Sequence, residues 1–422
     1  MGIALEKPRL FPEKETFLWF VSVLLLFIAI RLAFIYGTYK DFITKPFYYT
    51  TATVLSSYEK SRKGKRYKVL KLKSDEGFTF YTTSHRGENF NHKRLRLQIF
   101  PNTQIGFREY LGTFYVKSKI KHQEKIPITF KDTFVKNVAE QHESGALASF
   151  YNAIFFATSL SPTLREKVAL LGVSHLVALS GFHLGILWAL VYGLLLLLYR
   201  PLQQRYFPYR HALFDVGLVA MSILGLYVWF VGFPPSLLRS YAMVLMGWGV
   251  LLMGMELLSF TFLFSVFLLL SVVFPSLLVS LGFWLSVAGV FYIFLLLQYT
   301  KTWNKWFITF VVIPLGIFVL MLPVVHTVFG VTSVYQLLSP LLSLLFIPFY
   351  PLTMFAHLLG YGDIFDTSLM GLFSLPTQSV ESFLPLWAVV GYIGLSIVAI
   401  WHRKVFYVVL GLAIGYGIYL FT

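Results

Sequence analysis

Residues 168–199 read VALLGVSHLVALSGFHLGILWALVYGLLLLLY, a stretch with no Asp, Glu, Lys or Arg. As a helix rising 1.5 Å per residue it is more than long enough to cross a hydrocarbon core about 30 Å thick. Its opening is unusual for such a span. Ser174, His175, Ser180 and His183 are costly to place in hydrocarbon, so they predict a polar cavity at one end of it. Taken as one helix, Ser180 and His183 are i,i+3 neighbours, with His175 two turns back on a similar side. Gly181-x-x-x-Gly185 is a pair of small residues that lets another helix come close. Helix packing alone accounts for the glycines and leaves the histidines unexplained.

The same character extends outward. Leu257–Thr300 is free of charge and, at about 66 Å if helical, holds two spans punctuated by Pro275 and Gly282. Phe307–Asp363 is uncharged up to its last residue, and Pro314, Pro323, Pro340, Pro348 and Pro351 predict broken or re-entrant helices there. Phe383–Ile400 and Val405–Phe421 read as two more spans, and Phe17–Tyr36, interrupted by Arg31 alone, as an uncleaved signal anchor. Over all 422 residues 57% are hydrophobic and 13% charged, with a mean hydropathy of +0.70, which excludes a soluble globule. The expected fold class is a polytopic α-helical membrane protein. The absence of cysteine excludes disulfides, a thiolate nucleophile and thiol-ligated metal.

Basic short loops orient such a chain. The amino terminus, Arg200–Arg210, Lys301–Lys305 and Arg403-Lys404 are expected in the cytoplasm, and the acidic loop Asp363–Glu381 outside. Reconciling these requires Val334–Leu359 to leave and return on one face as a re-entrant pair. The segment Asp41–Gly145 then lies outside. It has no stretch able to span a bilayer, and it holds +10 of the net charge of +16. Since long domains translocate largely regardless of charge, this excess reads as a ligand signal, which an acidic partner such as nucleic acid would meet.

Strand periodicity dominates that segment. Arg94-Leu95-Arg96-Leu97-Gln98-Ile99 alternates strictly, placing Arg94, Arg96 and Gln98 on one face and three aliphatics on the other. Arg66–Leu72 and Phe78–Thr82 flank a polar turn at Ser74–Gly77, and Tyr49–Ser56 and Gly112–Lys119 complete five short strands, compatible with a small barrel of the oligonucleotide-binding type. Lys63, Lys65, Arg66, Lys68, Lys71 and Lys73 form a basic cluster, with Phe78, Phe80, Tyr67 and Tyr81 close by. Cations that track phosphates and aromatic faces that stack bases are the two ingredients of sequence-tolerant single-strand binding. For Phe78 and Phe80, burial in the barrel core competes with that role.

Residues 171–185, LGVSHLVALSGFHLG, resemble the signature of ComEC-type competence proteins, the inner-membrane channels of natural DNA transformation. Further segments follow in that family's order. Ala153–Arg165 resembles the lead-in, Gly232-Phe233-Pro234-Pro235-Ser236-Leu237-Leu238-Arg239 the G-x-x-P-S-x-x-R element, and Phe274-Pro275 with Gly282-Phe283-Trp284-Leu285-Ser286 a further element in which Phe replaces the usual Asp and Trp the usual Gln. Gly106–Leu111 resembles the closing motif of the family's small extracytoplasmic barrel. Many relatives add a metallo-β-lactamase-like domain; the sequence has no H-x-H-x-D-H motif, so nuclease activity is not implied.

The resemblance implies a non-enzymatic channel for single-stranded DNA in the bacterial cytoplasmic membrane, with no cofactor, no metal and no catalytic residue. Its expected divisions are a tail and anchor (1–40), an extracytoplasmic barrel (41–130), an amphipathic helical lead-in (131–167) and a multi-span channel (168–422). DNA contacts are expected from Lys63, Lys65, Arg66, Lys68, Lys71, Lys73, Arg94, Arg96, Phe78 and Phe80. The cavity is expected to use His175, Ser180, Gly181, His183, Pro235, Ser236, Arg239, Trp284 and Ser286. Expected partners are single-stranded DNA, membrane lipid, an extracytoplasmic DNA receptor, and a cytosolic helicase or single-strand-binding proteins. Two alternatives compete. Ser180-Gly181-x-x-x-Gly185 also resembles part of the rhomboid protease motif, with His326 or His357 as candidate base, although Ala178 stands where the protease has its first glycine. A transporter of an anionic lipid or glycan would draw on the same arginine and helix-end physics.

Overall fold

The computed structural model describes residues 10–11, 13–62, 65–85, 88, 90, 93–254, 259–376 and 378–422. They fall into two compact units: Phe11–Thr129 with Ser265–Trp284, and a larger one formed mainly by Phe130–Phe264 and Leu285–Thr422.

The first unit starts with α1 (Lys14–Thr44), whose exposed apolar surface is that of a bilayer anchor. It runs two turns beyond the expected Tyr36 because its last residues join the core of the domain that follows. Phe42 is 4% exposed and packs its ring against those of Tyr48, Phe78, Tyr110 and Phe114 at 5.4–5.9 Å, while the Tyr39 hydroxyl donates to the Ile105 carbonyl at 2.8 Å. Next come β1 (Tyr48–Arg62), β2 (Lys65–Ser74), β3 (Thr79–Ser84), β4 (Lys93–Phe100), α2 (Phe107–Leu111), β5 (Thr113–Tyr115) and β6 (Lys117–Lys125), in one sheet of order β5-β3-β2-β1-β4-β6. The run expected over Gly112–Lys119 therefore splits. β5 pairs in parallel with β3, and after Val116 alone β6 pairs antiparallel with β4. The alternation in β4 holds, with Leu95, Leu97 and Ile99 fully buried and Arg94 and Arg96 exposed.

In the second unit, α3 (Phe130–Ala139), α4 (Gly145–Phe156) and α5 (Pro162–Leu170) lead to α6 (Ser174–Val177) and then α7 (Gly181–Tyr206), α8 (Ala212–Phe230) and α9 (Pro235–Leu252). Gly232 and Phe233 both take left-handed backbone (φ +87° and +53°) ahead of Pro234 and Pro235, which turns the chain sharply between α8 and α9. α10 (Phe260–Val273) and a 3-10 turn at Pro275–Val279 precede α11 (Leu281–Tyr299). α12 (Lys305–Phe307) continues through a π turn into α13 (Ile313–Val325), and β7 (Val331–Thr332) follows. Then come a 3-10 turn at Val334–Leu338, α14 (Ser339–Leu358), α15 (Asp366–Phe373), β8 (Val380–Glu381), α16 (Leu386–Val398) and α17 (Arg403–Phe421). Among the described residues eight helices are long and apolar enough to cross a bilayer.

The re-entrant pair expected within Val334–Leu359 is instead one uninterrupted helix, Val334–Leu358. Pro340 sits in the first turn of α14, where a missing N–H costs little, and the chain continues helically past Pro348 and Pro351. The return leg comes later. β7 pairs with β8, and Leu384 N–H donates to the His326 carbonyl at 3.0 Å, so the chain ahead of α14 and the chain after α15 come back together.

Candidate functional site

On the sheet, a side chain's place is decided by strand phase. In β3 alternate residues are buried, so Phe80 has no exposed surface and stacks on Phe114 in the core at 6.0 Å; a base cannot reach its face. Phe78, just ahead of the strand, is half-buried against Phe42 and Phe114. The outward aromatic is Tyr81. It lies opposite Lys71 on β2 and Tyr115 on β5, and the Lys71 Nζ stands 5.8 Å from its ring centre. Tyr115 is half exposed, and Lys73 is exposed two residues along β2.

The basic cluster is divided: Lys68, Lys71 and Lys73 lie where β2 pairs with β3, and the rest belongs to the far end of the β1–β2 ribbon. β1 pairs with β2 out to Arg62–Lys65, beyond the residues where β4 and β3 support the two strands. Arg66 is exposed on this arm near Glu59, and Lys68 Nζ donates to the Glu88 carbonyl at 2.8 Å. Lys63 lies outside the described residues, as does the side chain of Lys65.

Arg94 and Arg96 face a separate cavity of about 470 Å³, shared with Tyr49, Thr51, Asp75, His122 and Glu124 among others. Asp75 is hydrogen-bonded to Arg94 and raises its pKa above the usual guanidinium value. A phosphate approaching Arg94 would have to displace that carboxylate, whereas Arg96 carries no such ion pair among the described residues.

In the larger unit the signature is not one helix. α6 ends at Val177, and Ser180 is the N-cap of α7, its Oγ accepting from Phe182 N–H while its own N–H donates to Nδ1 of His183, both at 3.3 Å. This is a capping box with histidine in place of the usual Glu or Gln, and it satisfies two otherwise orphaned donors. Nδ1 accepts, so the proton is on Nε2. That nitrogen is buried with no hydrogen-bond partner among the described residues, and the ring stands edge-on to Phe346 and Tyr350 at 5.0 and 4.9 Å. His175, on the separate α6, is exposed and meets Ser343 Oγ at 3.3 Å.

The G-x-x-P-S element lies against this break. Pro235 opens α9, and Ser236 Oγ donates to the Leu179 carbonyl at 2.7 Å. Gly181 packs tightly against α9: a Cβ there would fall 2.8 Å from Ser240 Oγ, whereas at Gly185 it would meet open space. Only the first glycine of the pair serves a close crossing. Arg239 is half-buried in the second turn of α9. Trp284 finds its partners within the first unit, donating to the Leu278 carbonyl at 2.9 Å and packing on Phe267; Ser286 is exposed on α11.

What the prolines conceal is the inward face of Val334–Leu358. Gln336, Ser339, Ser343, Phe346, Tyr350, Thr353 and His357 recur at spacings of three and four, and all are buried except Ser343, which is half-buried. The polar members are satisfied: Gln336 donates to the Val331 carbonyl at 2.8 Å, Ser339 to that of Gly172 at 3.1 Å, and the Tyr350 hydroxyl pairs with that of Tyr227 at 3.2 Å. Six polar side chains down the core side of an apolar helix make a polar seam that runs from His175 past His183 to His357. Neither candidate protease base faces Ser180. His326 bonds the Leu322 carbonyl and Thr332, and His357 bonds the Thr353 carbonyl and His142.

Many bilayer-length helices and a buried polar seam define a polytopic membrane protein with a β-sheet domain near its amino terminus. A profile of the competence protein family matches residues 156–418, well over half the chain. The chain belongs to that family, of ComEC type, whose role is DNA uptake. No curated protein and no solved structure matches it.

Proposed function

We propose that this protein passes single-stranded DNA across the bacterial cytoplasmic membrane during transformation, with the sheet domain outside. The family match over residues 156–418 carries the reading. Two features support its finer parts. β1 pairs with both β2 and β4, and residues 113–125 take partners from both β3 and β4, as in the five-stranded barrel of the oligonucleotide-binding fold. In that fold the loop between the first two strands and the face of strands 2 and 3 bind the ligand; here those places hold the basic arm and Lys71, Lys73 and Tyr81. The strand then follows the seam beside α14 in the channel domain (168–422), after the anchor (1–40), barrel (41–130) and lead-in (131–167). Positioning suffices, and no bond is made or broken. An external receptor delivers the DNA, and a cytosolic helicase or single-strand-binding proteins withdraw it.

The test is uptake of end-labelled single strands by proteoliposomes holding the full-length chain, with single-strand-binding protein inside and nuclease outside. Label protected in proportion to the correctly oriented protein supports the reading. Binding without protection overturns translocation by this chain, and protection of an anionic glycan or lipid headgroup in place of DNA moves the substrate to that class.

A further inference from the structure

Three ionisable side chains meet at the carboxyl-terminal end of α14, outside the signature. His142, in the turn between α3 and α4, has a fully buried side chain. Its Nδ1 lies 2.8 and 3.0 Å from the two carboxylate oxygens of Asp366, the first residue of α15, and its Nε2 lies 2.9 Å from Nε2 of His357. The His357 Nδ1 lies 2.7 Å from the Thr353 carbonyl oxygen. Tyr151 of α4 stacks on the His142 ring at 4.5 Å and 5°. Gln141 closes the group, donating to the His357 carbonyl at 3.1 Å and accepting from Gly362 N–H at 2.9 Å, and Asp363 adds a second carboxylate to the field at His357 and Tyr151.

The links can be counted in protons. A carbonyl oxygen only accepts, so the Thr353 link places a proton on Nδ1 of His357. The contact between the two Nε2 atoms needs one proton, and the contact between His142 and Asp366 needs another. Three links need three protons, and two neutral imidazoles supply two. The third leaves the cluster neutral overall, as imidazolium beside carboxylate or as two imidazoles beside a protonated acid. Its loss sets two lone pairs facing each other in one of the links, with little water to relieve them.

The geometry points to a proton-binding site: Asp366, His142 and His357 hold one exchangeable proton between them, and that proton ties the α3–α4 turn and α15 to the end of α14. Release frees the end of the helix that carries the polar seam, so proton occupancy sets how firmly the seam is closed. This holds whatever the seam conducts.

The chain has no cysteine, so cysteines placed at the exposed positions Glu143, on the α3–α4 turn, and Leu358, at the end of α14, can be spin-labelled uniquely in the full-length protein in lipid nanodiscs. Pulsed electron–electron distances are read from about pH 5 to about pH 8, the interval in which imidazoles change charge. The expected result is one narrow distance at the acid end and a longer, broader population that rises several-fold toward the alkaline end with one-proton steepness. Asp366→Asn is the decisive variant. Its amide can donate to Nδ1 of His142, which frees the His142 Nε2–H to donate to His357, so every link is met without an extra proton and the narrow distance persists at all pH. A wild-type distance indifferent to pH overturns the proposal, as does opening that survives Asp366→Asn. Should that variant fail to fold, imidazole 15N spectra of the unsubstituted protein decide: loss of one proton in step with the distance change supports the site, and no histidine titration over the interval overturns it.

Discussion

A Cβ added at Gly181 would lie 2.8 Å from the Ser240 Oγ and 3.2 Å from the Ser240 Cβ. The hydroxyl is fixed by its bond to the Ser236 carbonyl at 2.9 Å and cannot simply swing aside. Gly181→Ala therefore pushes α9 away from the α6–α7 break, at a cost of about 1–3 kcal/mol. DNA uptake is expected to fall at least tenfold, while Gly185→Ala, which meets open space, stays near wild type. Equal effects of the two substitutions in a transformation assay would show that the crossing is not the constraint.

How much of this is legible in the sequence depends on the scale of the signal. Bilayer-length apolar runs and strict alternation in β4 are direct readouts of burial, and the alternation survives in the fold, whereas of the expected spans the first half of Leu257–Thr300 and the run Phe383–Ile400 give only the shorter helices α10 and α16. Strand phase is harder. Phe80 and Tyr81 are adjacent aromatics, and a shift of one residue exchanges core and surface. The signature reads as one helix because nothing local announces that Ala178–Ser180 leaves the helical path; the N-cap role of Ser180 is the only trace, and a serine in an apolar run also reads as a cavity residue. The seam on α14 is present as a three-four repeat from Gln336 to His357, but the prolines among those residues point to breaks that tertiary packing overrides. His142 and Asp366 lie 224 residues apart, and no periodicity joins them.

The packing of Phe42 on Phe114, 5.5 Å between rings, makes the anchor helix part of the sheet domain's core. Phe42→Ala is expected to destabilise that domain by about 3–5 kcal/mol. Limited proteolysis of the full-length protein in nanodiscs should then show cleavage in β1–β6 at temperatures the wild type survives. An unchanged cleavage profile would mean that the helix end is a tether only.

Tyr81 and Phe80 divide stacking from packing. Tyr81→Ala is expected to weaken single-strand binding by about 1–3 kcal/mol without loss of fold, and Phe80→Ala to unfold the domain. Changing Lys71 and Lys73 to Ser should also flatten the salt dependence of binding, by about 0.7 in log–log slope for each phosphate that the protein no longer neutralises. A slope unchanged by the double substitution would remove this face from the nucleic-acid surface.

Ser180 acts as a cap, with its Oγ held by Phe182 N–H and close to His183. Ser180→Ala should cost about 1 kcal/mol of local stability and leave substantial DNA uptake, and Ser180→Asn should recover the cap. Covalent labelling of Ser180 by a fluorophosphonate, abolished by His326→Ala or His357→Ala, would instead establish a nucleophile.

Arg239 is the only ionised side chain between Val216 and Met255. It lies one turn beyond Ser236, whose hydroxyl holds the Leu179 carbonyl, and on the helix that presses against Gly181. A half-buried guanidinium keeps its charge, and its planar fork of parallel N–H groups has the geometry that suits a phosphate. Lysine retains the charge and loses the fork. Arg239→Ala is expected to abolish entry of DNA into the cytoplasm and Arg239→Lys to retain part of it, with DNA still accumulating outside the membrane in both. A snorkelling anchor would behave differently, since lysine snorkels as well as arginine and would restore full uptake. Normal uptake by Arg239→Ala, with the protein at wild-type abundance in the membrane, would show that this arginine serves only the helix end.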